Sequence, residues 1–174
     1  MPPAIRPAVP ADAAPLAAFA ARTFTDAFGA LNDPTDLATF LATAYGAAQQ
    51  GREIADPAMR TFVAEAEGVL AGFAQLRQGR AAPCVTGPRP IELYRFYVDR
   101  AFHGQGLAQA LMARVVAEAE ALGAATLWLG TWEVNARGIA FYGKVGFTAV
   151  GHQTFQVGAD LQRDVVMSRP LAGA

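Results

Sequence analysis

Two helical patterns occupy the first third of the chain. Apolar side chains recur at helical spacing between Asp12, a helix-capping residue type, and Gly29, a residue type that ends helices. A second pattern starts at Asp33 and Pro34, where a capping residue precedes a proline suited to the first helical turn. Polar residues 49–56 then loosen its end. The sequence therefore predicts two helices, of which the second ends gradually.

Strand patterns precede and follow these helices. Residues 4–8 are a candidate edge strand. Residues 60–65 and 69–77 flank a short turn that contains Gly68, which predicts an antiparallel hairpin. The Gly- and Pro-rich segment 78–90 predicts the most mobile loop of the chain.

The second half of the chain alternates strand and helix patterns up to a final pair of strands. No internal repeat or linker interrupts it, so residues 1–174 are expected to form a single domain of the α+β class. In order, the predicted elements are strand 91–98, helix 104–122, strand 125–129, helix 135–144 and strands 147–155 and 164–168.

Composition and charge exclude several classes of function. The 53% apolar and 17% charged residues fit a globular core rather than a disordered chain. With a net charge of −1 and no run of Lys or Arg, a nucleic-acid partner is not expected. No apolar stretch approaches the ~18 residues of a membrane span, and the first residues lack a secretory pattern, so we expect a cytoplasmic protein. Cys84, a single cysteine in a predicted loop, and two histidines provide no set of metal ligands.

A glycine turn stands where the strand at 91–98 leads into the next helix. Gly104, Gln105 and Gly106 would place backbone N–H groups and the positive helix end around one point, which suits an anion. No Lys follows as in a P-loop, and Gln109 stands where a dinucleotide fingerprint requires Gly or Ala. Taken alone, the turn is better explained as a plain connection between strand and helix.

Three segments together resemble the GNAT superfamily of N-acetyltransferases. Residues 98–112, VDRAFHGQGLAQALM, are similar to its motif Gln/Arg-x-x-Gly-x-Gly/Ala, with His103 in place of Gln or Arg. Residues 127–135, LWLGTWEVN, and 140–147, AFYGKVGF, resemble the block that follows in this superfamily. The turn, the second block and residues 23–28, TFTDAF, are similar to the Pai-type bacterial polyamine (spermidine/spermine) N-acetyltransferases.

This resemblance implies a fold and a cosubstrate. The fold is a mixed, mostly antiparallel twisted sheet flanked by helices, with acetyl-coenzyme A bound at the strand, glycine turn and helix. No metal is implied. The residues that the resemblance places against the coenzyme are Tyr97, Val98, His103, Gly104, Gln105, Gly106, Leu107, Ala108, Asn135 and Tyr142. Among them, the N–H groups of Tyr97 and Val98 would polarise the thioester carbonyl, and Asn135 would cap a helix, bind the coenzyme, or do both.

Acetyl transfer to an amine requires a base, because a primary amine with a pKa near 10.4 is charged at neutral pH. Glu92 is the candidate, and strand alternation predicts that it shares a face with Tyr94, Phe96 and Val98. It also matches a position where several GNAT enzymes carry their base. Asp26 and Glu133 could share the task through water. A charged residue that is merely solvated at a strand entrance remains the alternative for Glu92.

The departing thiolate needs only a weak proton donor, since a thiol pKa lies near 8.5. The resemblance assigns this role to Tyr142, whose alternative is an aromatic side chain packed between a short helix and the sheet. A polyamine acceptor requires negative charge, which could come from Asp26, Asp33, Asp36, Glu92 and Glu133. Protein N-termini, amino acids, aminoglycosides or other small amines stay open, as do a non-catalytic acyl-coenzyme A binding module and a homodimer formed through the helices.

Overall fold

Seven strands form one sheet in the computed structural model, which describes residues 3–172. In chain order they are β1 (Ala4–Pro7), β2 (Met59–Ala66), β3 (Val69–Arg77), β4 (Pro90–Val98), β5 (Thr126–Trp132), β6 (Thr148–Val157) and β7 (Asp160–Pro170). Across the sheet the order is β1-β2-β3-β4-β5-β7-β6, and every pair is antiparallel except β4 with β5. The predicted mixed, mostly antiparallel sheet of the α+β class is confirmed.

Helices cover both faces of this sheet. They are α1 (Ala13–Phe28), α2 (Pro34–Ala44), α3 (Ala47–Ala55), α4 (Leu107–Ala121) and α5 (Ala136–Lys144). Adjacent strand residues Phe62 and Val63 belong to different buried clusters, because successive side chains of a strand point to opposite faces. The Val63 cluster contains apolar residues of α1 and α2, and the Phe62 cluster contains those of α4 and α5.

The parallel pair β4 and β5 separates after a short contact. Pairing extends only from Pro90 with Thr126 to Glu92 with Trp128. Beyond these residues, β4 is still bonded to β3 and β5 is still bonded to β7. The separation therefore opens a gap in the middle of the sheet, at the carboxyl ends of two parallel strands, where ligand sites commonly form.

A β-bulge in β4 changes which face its residues occupy. Consecutive residues of β3 pair with Leu93 and Arg95, so Tyr94 is an extra residue in β4. A bulge of one residue shifts the alternation of side chains by one position. Glu92 therefore lies on the face opposite Phe96, and the prediction that these two residues share a face is wrong.

Residues 49–56 form most of α3 instead of a loosened end of α2, so this part of the prediction is also wrong. Gln50 and Glu53 on α3 are buried, and both contact the amide of Gln75 on β3. Because polar side chains occupy the buried face of α3, the helix has no apolar stripe that a sequence pattern would reveal.

The loop at residues 78–89 has neither helix nor strand, as predicted. It packs on the sheet rather than standing away from it. The indole N–H of Trp128 donates to the carbonyl of Arg80 at 3.1 Å, and Ala82 is buried beside Trp128 and Val166. The mobility of the loop stays a prediction.

Candidate active site

A cleft of about 320 Å³ lies where β4 and β5 separate. Its walls come from both sheet faces, since α1, α2, α5 and the β6–β7 hairpin all contribute side chains. The charged residues that line it are Arg95 and Asp164. Most of the remaining wall is aromatic, formed by Phe24, Phe28, Phe40, Tyr45, Tyr94, Phe96, Tyr97, Trp132, Tyr142 and Phe155.

The glycine turn predicted from the sequence joins the end of β4 to α4. Gly104 and Gly106 have φ angles of +77° and +83°, and no atom lies within 4 Å of a Cβ built on either residue. Glycine is therefore needed here for backbone conformation rather than for lack of space. No side chain caps α4, so the first N–H groups of this 15-residue helix are free to bind an anion. The turn fits the phosphate groups of coenzyme A.

The end of β4 turns one backbone N–H towards the gap. Asp99 N–H donates to the carbonyl of Ala71 on the β3 side at 2.9 Å. By the alternation of an antiparallel ladder, the N–H of Tyr97 also points to β3, whereas that of Val98 points to the separated β5. Tyr97 instead contributes its ring to the cleft. The Nε2 atom of His103 lies 2.9 Å from the carbonyl oxygen of Val98, so this ring is turned back to the strand.

Asn135 fixes the junction of β5 and α5. Its Oδ1 accepts from the N–H of Gly138 at 3.0 Å, and its Nδ2 donates to Thr131 Oγ1 at 3.0 Å. A Cβ at Gly138 would lie 2.3 Å from Asn135 Nδ2, so glycine is required beside this cap. The predicted capping role of Asn135 is confirmed, and contact with the coenzyme stays a prediction.

Tyr142 reaches the cleft from α5. Its ring packs edge-on against Phe96, Phe141 and Phe147, with centroids 5.6 to 6.3 Å apart. Burial raises the pKa of the Tyr142 hydroxyl well above its usual range. The hydroxyl is therefore neutral at physiological pH and available as a hydrogen-bond donor. The packing interpretation is confirmed, since the residue packs between helix and sheet. Tyr142 also lines the cleft, and its role as proton donor stays a prediction.

The acidic residues predicted around the acceptor do not meet in the cleft. Asp26 is exposed on α1, because it lies on the solvent side of the helix whose other face buries Phe24. Glu133 is exposed and lies 3.7 Å from Arg163. Glu92 is buried outside the cleft lining, where it accepts from Arg77 Nε at 2.8 Å. The prediction that these three residues form one acidic site around the acceptor is therefore wrong. The role of Glu92 as base stays a prediction.

Asp164 is the carboxylate that lines the cleft, and the sequence analysis did not single it out. It lies on β7, paired with Trp132 of β5 and Gln153 of β6, and is 5% exposed. Burial raises the pKa of its carboxyl group to about 6, and a hydrogen bond from Gln153 opposes the rise. Gly130 makes room for it, since a Cβ there would lie 3.0 Å from Asp164 Oδ2. The signal in the sequence that could have identified Asp164 is its position directly before the apolar strand residues 165–167.

This raised pKa predicts a pH-dependent gain in stability for Asp164→Asn. The folded state binds the proton more tightly than the unfolded state does, so the contribution of Asp164 to stability is lost as the pH rises from about 4 to 6. At pH 8 the variant should be more stable by about 2–3 kcal/mol, since each unit of pKa shift corresponds to about 1.4 kcal/mol. Urea unfolding at pH 8 and pH 4 measures this difference. A gain of the same size at both values would contradict it.

Within residues 3–172, every helix is too short or too polar to span a lipid bilayer. The same residues contain no group of three or more His, Cys, Asp or Glu side chains arranged to hold a metal ion.

Known proteins share this sequence and architecture. The model of the Acetyltransferase (GNAT) family matches residues 24–147. An uncharacterized N-acetyltransferase of Mycobacterium bovis is 37% identical over 160 residues, which cover 92% of this chain and 98% of the relative. An uncharacterized N-acetyltransferase of Lactobacillus delbrueckii subsp. lactis is 30% identical over 154 residues, or 88% of this chain and 89% of the relative.

A solved structure shows the same fold at lower sequence identity. PaiA N-acetyltransferase of Thermoplasma acidophilum, determined in complex with coenzyme A, superposes with a TM-score of 0.78 at 18% identity, covering 98% of this chain and 99% of that one. The family match spans more than half of the chain, and the Mycobacterium relative aligns with nearly all of it. This chain therefore belongs to the GNAT family of acetyltransferases.

Proposed function

We propose that this acetyltransferase moves the acetyl group of acetyl-coenzyme A to the primary amine of a small molecule held in the cleft. The observation that carries the proposal is the cleft itself, which reaches Tyr142 and Asn135 on one side of the sheet and α1 and α2 on the other. One ligand can therefore approach from each side and meet the other at the gap between β4 and β5.

Different residues of this chain bind the phosphates, polarise the thioester carbonyl and stabilise the leaving sulfur. The first N–H groups of α4, with Gly104 to Ala108, bind the phosphates, and Val98 N–H is directed to polarise a carbonyl in the gap. Acetyl-coenzyme A supplies the thioester when it is bound. Tyr142 donates a hydrogen bond to the leaving sulfur. Its raised pKa keeps the proton shared rather than transferred, because a thiol is the stronger acid.

The acceptor is the finer part of the proposal. A polyamine is implied by the sequence resemblance to Pai-type enzymes, and PaiA N-acetyltransferase is a structural neighbour of this chain. Amino acids, aminoglycosides and protein N-termini are the competing amines. A non-catalytic acyl-coenzyme A binding module competes as a second class, and the cleft that joins Tyr142 to the acceptor side favours catalysis.

Release of free thiol tests the proposal. Purified protein with acetyl-coenzyme A is assayed against polyamines, amino acids, aminoglycosides and peptides. We expect thiol release that depends on at least one amine and mass spectrometry that finds the acetylated product. Tight coenzyme binding by calorimetry without amine-dependent release would instead support the binding module.

Gly106→Ala should weaken coenzyme binding. A side chain at φ of +83° costs about 1–2 kcal/mol, and relief of this strain turns the first N–H groups of α4 away from the phosphates. We expect the Kd for coenzyme A to rise about tenfold or more by calorimetry. Gly79→Ala is the matched control, because Gly79 also has a positive φ of +76° and open space around it but lies in the loop after β3. Equal effects of both variants would contradict the assignment.

A further inference from the structure

Asp164 is a buried carboxylate without a cationic partner. None of the ion pairs formed within residues 3–172 includes it. Arg95, the other charged residue of the cleft, is bonded to Glu53 and Gln75 on α3 and β3. The cleft wall therefore carries one negative charge that no residue of the described chain neutralises, and a bound cation is what would complement it.

The wall beside this carboxylate is built from aromatic rings of four elements. Phe24 and Phe28 of α1 lie 5.1 Å apart, and Phe24 lies 4.7 Å from Phe40 of α2. The set continues from Phe28 to Trp132 of β5 at 5.8 Å and from Phe40 to Phe155 of β6 at 5.6 Å. We call these five residues the aromatic wall.

Two hydrogen bonds join the segment at the start of α2 to the β6–β7 hairpin. Asp36 Oδ1 accepts from the N–H of Ala159 at 2.6 Å, and Gln162 Nε2 donates to Asn32 Oδ1 at 2.6 Å. A ligand in this part of the cleft would meet the carboxylate of Asp164, the rings of the aromatic wall and the amide side chains of Gln156 and Gln162.

On the basis of the proposed function, we propose that Asp164 binds the acceptor ammonium and removes its proton. We also propose that the acceptor is a monoamine whose remainder is alkyl or arylalkyl, rather than the polyamine that the sequence resemblance implies. A polyamine would bring several ammonium groups to a cleft lined by a single carboxylate. The aromatic rings attract a cation, but this attraction is smaller than the cost of removing an additional ammonium from water without a counter-ion. A monoamine matches the charge of Asp164, and its apolar part is removed from water by the aromatic wall.

The proposed transfer needs no group besides Asp164, Tyr142, the amine and acetyl-coenzyme A. Asp164 takes one proton from the ammonium, and the free lone pair of the amine forms the bond to the thioester carbonyl carbon. The C–S bond breaks and the sulfur leaves with its electron pair. It takes the second amine proton with the hydrogen bond of Tyr142 to support it, and Asp164 returns the first proton to solvent.

The surroundings of Asp164 suit proton exchange near neutral pH. Its pKa of about 6, raised by burial, leaves the carboxyl group ionised but basic at pH 7. Gln153 is the polar partner from β6, and Glu133 and Arg163, which flank the site, are exposed and face each other. The other titratable residues that line the cleft are Arg95, Tyr45, Tyr94, Tyr97 and Tyr142. Burial is the largest influence on the pKa of Tyr45, Tyr97 and Tyr142 and raises it, so these hydroxyls are neutral.

The acceptor class is tested with amines of matched length. Hexylamine and 2-phenylethylamine are compared with putrescine and spermidine by thiol release, at saturating acetyl-coenzyme A. We expect kcat/KM for the monoamines to exceed that for the polyamines about tenfold or more. The reason is that each additional ammonium of a polyamine would stay unneutralised in a low-dielectric site, which costs free energy. Preference for spermidine would overturn the acceptor class and leave the proposed function standing. If no amine increases thiol release above the rate without amine, both the acceptor class and the proposed function are overturned.

Asp164→Asn tests the proton-accepting role. We expect the wild-type activity to rise near pH 6, where Asp164 loses its proton. In the variant we expect loss of this rise, a fall in kcat/KM for the best amine of about 100-fold or more, and an unchanged Kd for coenzyme A. Asp56→Asn is the matched control, because Asp56 is exposed in the turn before β2 and its bond to the Ala58 N–H survives in the amide. This control should keep wild-type activity.

Two further outcomes separate the rival roles. If Glu92→Gln removes the rise near pH 6 and Asp164→Asn retains it, the base is Glu92 and the inference is overturned. If Asp164→Asn loses activity together with a lower Tm at pH 8, the residue is needed for folding, which also overturns it. The expected result is a higher Tm with lower activity.

Discussion

Tyr142→Phe is expected to lower kcat roughly 100-fold or more, the usual scale for removal of a hydrogen-bond donor from a transition state. The variant deletes one hydroxyl and keeps the ring, which packs against Phe96, Phe141 and Phe147. Because the hydroxyl is assigned to the leaving sulfur and not to binding, the Kd for coenzyme A should stay close to that of the wild type.

Single-turnover kinetics with acetyl-coenzyme A and the best amine measure this effect directly. Calorimetry and thermal unfolding of the same preparation serve as controls, since the loss must occur without weaker coenzyme binding or a lower Tm. Full turnover by the variant would remove Tyr142 from the mechanism and leave family membership intact.

Glu53→Ala should destabilise the protein by about 3–5 kcal/mol, because it leaves the buried guanidinium of Arg95 without its carboxylate. The side chains of Glu53 and Arg95 are 7% and 6% exposed. Gln75 bonds to both, donating to Glu53 at 3.0 Å and accepting from Arg95 at 2.7 Å. Loss of the carboxylate therefore disturbs a network that joins α3, β3 and the bulged part of β4.

Urea unfolding at pH 7 gives the change in the free energy of unfolding. Glu133→Ala is the matched control, since it also removes a glutamate from an arginine, but from an exposed pair 3.7 Å apart. An exposed pair contributes about 0–1 kcal/mol. Similar losses for both variants would show that burial does not set the strength of the Glu53–Arg95 contact.

The helix that carries Glu53 shows where sequence patterns stop being informative. Apolar periodicity predicted α1 and α2 because their buried faces are apolar, for example at Leu16 and Phe19. In α3 the buried side chains are Gln50 and Glu53, whose partners come from strands β3 and β4. A pattern that depends on hydrophobicity cannot detect a helix whose inner face is polar.

The bulge at Tyr94 limited the prediction for Glu92 in a similar way. Alternation correctly describes a regular strand. One extra residue shifts the alternation, so residues before Tyr94 and residues after it no longer share the faces that their spacing predicts. The bulge depends on the fit of β4 to β3, which is a contact between segments and not a property of residues 91–98. The acidic residue that lines the cleft, Asp164, comes from a strand more than sixty residues further along the chain.

By itself, the sequence determined the features that are local in the chain. The strand, glycine turn and helix around Gly106, the cap at Asn135 and the position of Tyr142 on α5 follow from residues close together, because φ preferences and capping act over a few residues. Tertiary structure alone decided the acceptor side of the cleft. It brings Asp164 beside the aromatic wall through contacts among α1, α2, β5, β6 and β7, and the pKa of Asp164 exists only where those elements exclude water.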